Sequence, residues 1–165
     1  MKKEKYKLYH AEEIATWFIN NLEGADDTTH LKIQKLVYFA EAWVQILLER
    51  NLIIEDFEAW AHGPVVPDLY KSLSVTSKKD KPIPKNKLNK QINIDSEIIS
   101  ILEYVVQTYG DYSGFSLETI THNEDPWKNA RKGLSPEDRS NNKITKESIR
   151  KYYSKKYKHL LETNE

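Results

Sequence analysis

The stretch from Leu31 to Arg50 constrains this chain more than any other. Leu31, Ile33, Leu36, Val37, Phe39, Ala40, Trp43, Val44, Ile46 and Leu47 recur at helical spacing and cover well over half of a helix circumference. A helix apolar on most sides belongs at the centre of a domain. At its length it runs about 30 Å, so several other elements must pack around it. Lys32, Gln34, Lys35, Glu41, Gln45 and Glu49 supply a narrower polar side. The expected fold is therefore mainly α: a compact multi-helix single domain over residues 1–165, built around a buried central helix at about 29–50. A length of 165 residues suits one domain with its own core.

The flanking segments supply the neighbours. Ala11 to Leu22 places Ile14, Trp17, Phe18 and Leu22 on one helical face, with Trp17 in the core. Gly24 and Asp26-Asp27 mark its end, and Thr28 or Thr29 caps the central helix. Phe57, Ala59 and Ala61 alternate with Glu58 and Trp60, which predicts a short β element near 57–61 and no more. A helix from Val66 or Pro67 to about Leu73 follows. Residues 74–91, rich in lysine and holding Pro82 and Pro84, read as a mobile surface loop. Asp95 or Ser96 caps a helix through Tyr109, with Gly110 as its left-handed stop. Ser113 caps a short helix that turns Leu117 and Ile120 inward and ends at His122. Pro126 and Trp127 open another that ends near Gly133. Thr145 caps the last, with Ile149, Tyr152, Tyr153, Tyr157 and Leu160 on one side.

The run Ala59-Trp60-Ala61-His62-Gly63-Pro64-Val65-Val66-Pro67-Asp68-Leu69-Tyr70 has the most fixed backbone in the chain. Pro64 and Pro67 lock φ and remove two donors, and each pushes its predecessor away from helical angles. Gly63 accepts a positive φ. Pro67 suits a helix start, with Asp68 near the positive helix end. The run predicts strand, rigid corner and helix start, which serves either as packing or as a presented surface.

Composition excludes several classes of function. There is no cysteine, so disulfides and thiolate zinc sites are ruled out and a cytoplasmic location is expected. No apolar run is long enough to span a membrane, and the basic N-terminus lacks the apolar stretch of a secretory signal. Net charge is zero, which argues against a dedicated duplex-DNA binder. The charge is nevertheless uneven. Lys71 to Lys90 carries seven lysines against Asp80, while His10 to Leu31 holds Glu12, Glu13, Glu23, Asp26 and Asp27 with no lysine or arginine. No histidine pair has zinc-site spacing, no serine lies in a nucleophile elbow, and no glycine loop cradles phosphate. No cofactor or metal is expected. His62 and His122 form a polar constellation with Glu124 or Asp125 if the fold brings them together; a hydrogen-bonded structural role is the default for such a group. Trp60, Tyr70 and Trp127 are aromatic candidates for binding hot spots.

Four stretches also resemble a known family. Thr29 to Trp43, with its LKIQKLVYFAEAW helix, is similar to the "T-x-LKLQKLLYYAQ-x-W" signature of the Panacea domain, the SocA-like antitoxin and phage-associated GepA-like family. The corner run resembles its "AW-x-x-GPVVP-x-VY". Leu117 to Arg131 resembles its "L-x-x-x-TH-x-E-x-PW-x-x-AR", and Ile144 to Tyr153 its "I-x-x-x-x-I-x-x-YY". Ile33, Glu41 and Asp68-Leu69 depart from the pattern. The resemblance implies a mostly helical antitoxin that neutralises a cognate protein toxin by direct binding. It implies, as alternatives, an adaptor that delivers a toxin to a protease, a phage or mobile-element protein of the same fold, or an enzyme that reverses a toxin's modification. On the direct-binding reading, toxin contact is expected at Trp60, His62, Val65, Asp68 and Tyr70, with His122 and Trp127 as further contacts.

Overall fold

Thr29 starts the central helix: its side-chain oxygen accepts the Lys32 N–H, and α2 runs from His30 to Leu48. The computed structural model describes residues 6–23, 28–76, 81–85 and 92–162. Around α2 it sets α1 (Ala11–Asn21), α3 (Pro67–Thr76), α4 (Ser96–Tyr109), α5 (Gly114–His122), α6 (Asp125–Ala130), α7 (Lys146–Lys156) and α8 (Lys158–Glu162). The molecule is mainly helical. Helices α1, α3, α4, α5 and α7 all pack directly on α2. Aromatic rings fill the space between: Phe39 of α2 stacks on Tyr109 of α4 at 4.2 Å, and the Trp43 indole N–H donates to the Tyr109 hydroxyl at 3.0 Å.

The β element is larger than the sequence predicts. Strand β1 (Phe57–Trp60) is the centre of a three-stranded antiparallel sheet, flanked by β2 (Gly63–Val65) and β3 (Lys143–Ile144). Glu58 lies opposite Val65 and Trp60 opposite Gly63; on the other edge Phe57 lies opposite Ile144. Strands of two and three residues carry too little alternation to announce themselves.

The polar side of α2 faces the interior, which corrects the expectation of an ordinary polar face. Lys32, Gln34, Lys35, Glu41 and Gln45 are all buried, and of that set Glu49 alone is exposed. Buried polar groups need partners, and most of these find backbone. Gln34 donates to the Val66 carbonyl at 3.3 Å and accepts the Val66 N–H at 3.0 Å. Lys35 donates to the Pro64 carbonyl at 2.8 Å. The Glu41 carboxylate accepts the Leu52 and Ile53 N–H groups at 2.9 and 3.1 Å, with the Lys146 ammonium 3.1 Å away. Lys146 also donates to the Ile53 carbonyl. Lys32 donates to the Gly110 carbonyl at 2.6 Å.

Other expectations are corrected in detail. Gly110 is right-handed, at φ −63° and ψ −27°, and its N–H continues the helical ladder to the Val106 carbonyl at 2.7 Å. Trp17 is half-buried, edge-on to Phe18, and Leu47 is exposed. The last helix divides at Tyr157 (φ −108°, ψ 21°), whose ring sits 4.6 Å from Trp43. Helix α6 stops at Ala130, and Gly133, at φ 87°, closes the turns that follow. Within 74–91, α3 continues to Thr76, and Ile83 is buried with its N–H donating to the Thr28 carbonyl at 2.8 Å. Residues 77–80 and 86–91 of that stretch, and the turn at Gly24 and Asp26-Asp27, lie outside the described residues.

Glu124, the N-cap residue of α6, is 2% exposed. It accepts the Tyr153 hydroxyl at 2.7 Å and lies 3.5 Å from the Lys156 ammonium. Burial pushes its carboxyl up to about 7, against the downward pull of Tyr153 and Lys156. The folded state therefore holds this proton more tightly than the unfolded chain, where the carboxyl titrates at its ordinary 4.5. Its stabilising contribution is complete below that ordinary value and is lost as pH rises through the folded one.

Two outcomes follow for stability. Gln34→Leu leaves the Val66 N–H buried without a partner, while the Val66 carbonyl keeps the Tyr70 N–H, and should cost about 1–3 kcal/mol in denaturant melts. Glu124→Gln keeps an acceptor for Tyr153 but removes the titration. Wild type should lose roughly 3 kcal/mol more than the variant between pH 4.5 and pH 7, read from paired melts across that range.

Candidate functional site

The corner behaves as its residues dictate. Gly63 sits at φ 104°, a conformation side-chain-bearing residues rarely adopt. It could not carry a Cβ in any case, since that atom would fall 2.7 Å from Lys35 Cε and 2.9 Å from Thr121 Oγ1. Pro67 opens α3, as expected. Three elements hold the corner. Helix α2 binds Pro64 and Val66 through Lys35 and Gln34. Helix α5 presses Thr121 against Gly63. From the α6 side, the Trp127 indole N–H donates to the Trp60 carbonyl at 2.8 Å, and Arg131 donates to the Ala59 carbonyl at 2.9 Å. The buried Arg131 also donates to the carbonyls of Ser135 and Asp138, so it ties β1 to the loop after α6.

His62 and His122 do come together, but not around Glu124 or Asp125. The carboxylate between them is Glu118 of α5. His62 Nδ1 lies 3.0 Å from Glu118 Oε1, and His122 Nε2 lies 3.7 Å from the same oxygen. Glu124 is instead committed to Tyr153 and Lys156. The His122 ring stacks on Trp127 at 4.0 Å, and burial pushes its imidazole below the ordinary value while Glu118 pulls it up. Lys35 is fully buried, and its ammonium is pushed down to about 7, with Glu118 again pulling it up. For this lysine the sign is opposite to that of Glu124: its contribution is present above 10.5 and is lost as pH falls through the lowered value. Among the described residues, no group of three or more His, Asp or Glu side chains is placed to hold a metal ion.

Trp60, His62, Val65 and Tyr70 share one cleft of about 520 Å³, whose lining also includes residues of α2, among them Gln34 and Lys35, and Phe115 and Glu118 of α5. Trp60 and Tyr70 meet edge to face at 5.1 Å, and the Trp60 indole N–H is held by Glu58 at 2.9 Å. His62 stands at the rim with its side chain 65% exposed, and Phe115 is 74% exposed. The structure does not bring the other three predicted residues into this cleft. Asp68 points into a separate acidic cleft of about 550 Å³, with His10, Glu12, Glu13 and Glu55. His122 and the buried Trp127 lie behind the corner and support it.

Sequence reasoning missed Gln34, Lys35, Glu118, Arg131 and Phe115. Gln34, Lys35 and Arg131 stand on the family patterns, and the other two left a signal in their spacing. Glu118 and His122 are four residues apart on one helix and must share a face. Phe115 sits off the inward stripe of Leu117 and Ile120, among serine and threonine. Gly63→Ala should destabilise the fold by about 2–4 kcal/mol, because strain at positive φ adds to a clash with Lys35 and Thr121. Thermal melts of the two proteins check it; an unchanged midpoint would mean that the corner relaxes freely.

Comparison with known proteins covers these segments. A family model described as "Antitoxin SocA-like, Panacea domain" matches residues 33–128, which take in most of α2, the corner, α5 and the start of α6. The chain is 32% identical over 127 residues to "Antitoxin SocA" of Caulobacter vibrioides (strain NA1000 / CB15N), covering 71% of this chain and 68% of that protein. No solved structure matches significantly. No helix among the described residues is long and apolar enough to cross a membrane. Three of the four stretches that resemble the family on sequence thus pack into one unit around Gly63, and the chain belongs to the SocA-like antitoxin family defined by the Panacea domain.

Proposed function

We propose that this protein neutralises a cognate protein toxin by direct binding, with the contact centred on the cleft walled by Trp60, Val65, Tyr70 and Phe115. The observation that carries the reading is an open cleft in which the half-buried Trp60 and Tyr70, on a backbone pinned from three sides, stand beside the exposed Phe115 of α5. A fixed aromatic surface loses little conformational freedom when it is covered, and that loss is a main cost of association. Aromatic anchors in a desolvated pocket carry most of the energy at such interfaces. Membership of an antitoxin family supplies the kind of partner. His62 lies at the rim of this contact. His122 and Trp127 act from behind, by holding the corner.

A second reading has one observation in its favour. The His62–Glu118–His122 cluster is the arrangement an acid–base activity on a modified target would use. A His62→Ala, His122→Ala double variant separates the two. Loss of rescue with binding retained favours chemistry, whereas retained rescue removes that reading.

The direct test is co-expression with the product of the adjacent gene. Wild type should restore growth and co-purify with it. Phe115→Asp and Tyr70→Ala should each weaken the complex by about tenfold or more, the usual effect at an interface centre, while circular dichroism stays unchanged. Full rescue by both variants would remove the cleft as the contact.

A further inference from the structure

Resting on that cleft reading, we propose that the partner segment received here pairs apolar anchor side chains with flanking lysine or arginine. Helix α3 forms the crest between two unlike clefts. Tyr70 faces the first, which is walled by Trp60, Val65 and Phe115. Asp68 and Ser72 face the second, where Glu12, Glu13 and Glu55 gather with His10 and neither lysine nor arginine lines the wall. Leu69 and Leu73 are buried beneath the helix. At about 100° per residue, this places Lys71 on the outward crest between the two clefts.

The carboxylates of the second cleft are positioned by short hydrogen bonds. Glu55 accepts the Ala11 N–H at 3.0 Å, Glu13 accepts the His10 N–H at 2.9 Å, and Glu12 lies 3.4 Å from the Ser72 hydroxyl. The His10 imidazole lies 3.7 Å from Glu55, and four carboxylates, those of Glu12, Glu13, Glu55 and Asp68, line the cleft with it. A segment seated in the apolar cleft and running over α3 therefore passes from an aromatic surface into a negative field. Opposite charge on the segment speeds its docking and selects it over acidic competitors. Lys71 is the one like charge such a segment meets on the crest.

The probe is a display library of short random peptides, panned on the full chain with the Phe115→Asp variant as counter-target. Enriched peptides should carry Leu, Ile, Phe or Trp beside Lys or Arg. In anisotropy titrations Tyr70→Ala should weaken them about tenfold. Asp68→Lys with Glu12→Lys should weaken them roughly three- to tenfold at low salt and flatten the salt dependence. Lys71→Glu should tighten them. No enrichment over the counter-target, enrichment of acidic or uncharged peptides, or indifference to the charge reversals overturns the proposal. The two readings fail separately. If toxin rescue is lost with Phe115→Asp but survives the charge reversals with unchanged affinity, the cleft stands and this inference falls. If rescue ignores both Phe115→Asp and Tyr70→Ala, both readings fall.

Discussion

The fold depends on a row of polar side chains that a central helix carries into its own core. Lys32, Gln34, Lys35 and Glu41 of α2 each bind backbone groups from a distant stretch of chain. An unpaired buried amide or carbonyl costs on the order of 1–3 kcal/mol. The Leu52, Ile53 and Val66 N–H groups and the Pro64 and Gly110 carbonyls point toward α2, and its side chains are the partners they find there. Helix α2 therefore does two jobs at once. Its apolar residues bury surface against five helices, and its polar residues satisfy the irregular backbone that connects the elements.

The corner shows what this arrangement accomplishes. Two prolines and a glycine fix its path, and α2, α5 and α6 then grip its carbonyls and its one Cβ-free position. Arg131 extends the grip to β1 and to the loop beyond α6. With the backbone held from within, the side chains of Trp60, His62, Val65 and Tyr70 are left to form one wall of an open cleft. The α5–α6 motif, with Thr121, His122, Trp127 and Arg131, is the rear support of the same structure. A rigid interior beneath an open cleft suits the proposed binding role, since a fixed surface loses little conformational freedom when it is covered.

Much of this was legible in the residues, and the illegible part has a common cause. Helix α2 follows from its apolar periodicity. Thr29, Ser113 and Thr145 cap their helices as their side chains dictate, and the positive φ of Gly63 and the helix start at Pro67 follow from covalent geometry. The burial of Gln34, Lys35 and Glu41 could not be read from spacing. Their partners are main-chain groups up to 32 residues away, and a main-chain carbonyl leaves no trace in the sequence. The same holds for Gly110, whose carbonyl is served by Lys32 from another helix. Glu118 was passed over for Glu124 because Glu124 lies nearer to His122 along the chain. Helical geometry ranks them the other way: four residues along α5 place a side chain on the same face, while Glu124 falls beyond the helix end.

The central claim is that side chains of α2 hold irregular backbone as firmly as a helix or sheet holds its own. Native-state hydrogen exchange of the Leu52, Ile53 and Val66 amides tests this most directly, since the acceptors of these three N–H groups are the Glu41 carboxylate and the Gln34 side chain. The account predicts that all three exchange only through global unfolding, with the same opening free energy as the interior of α2. Exchange at rates typical of surface loops, well ahead of global unfolding, would contradict it.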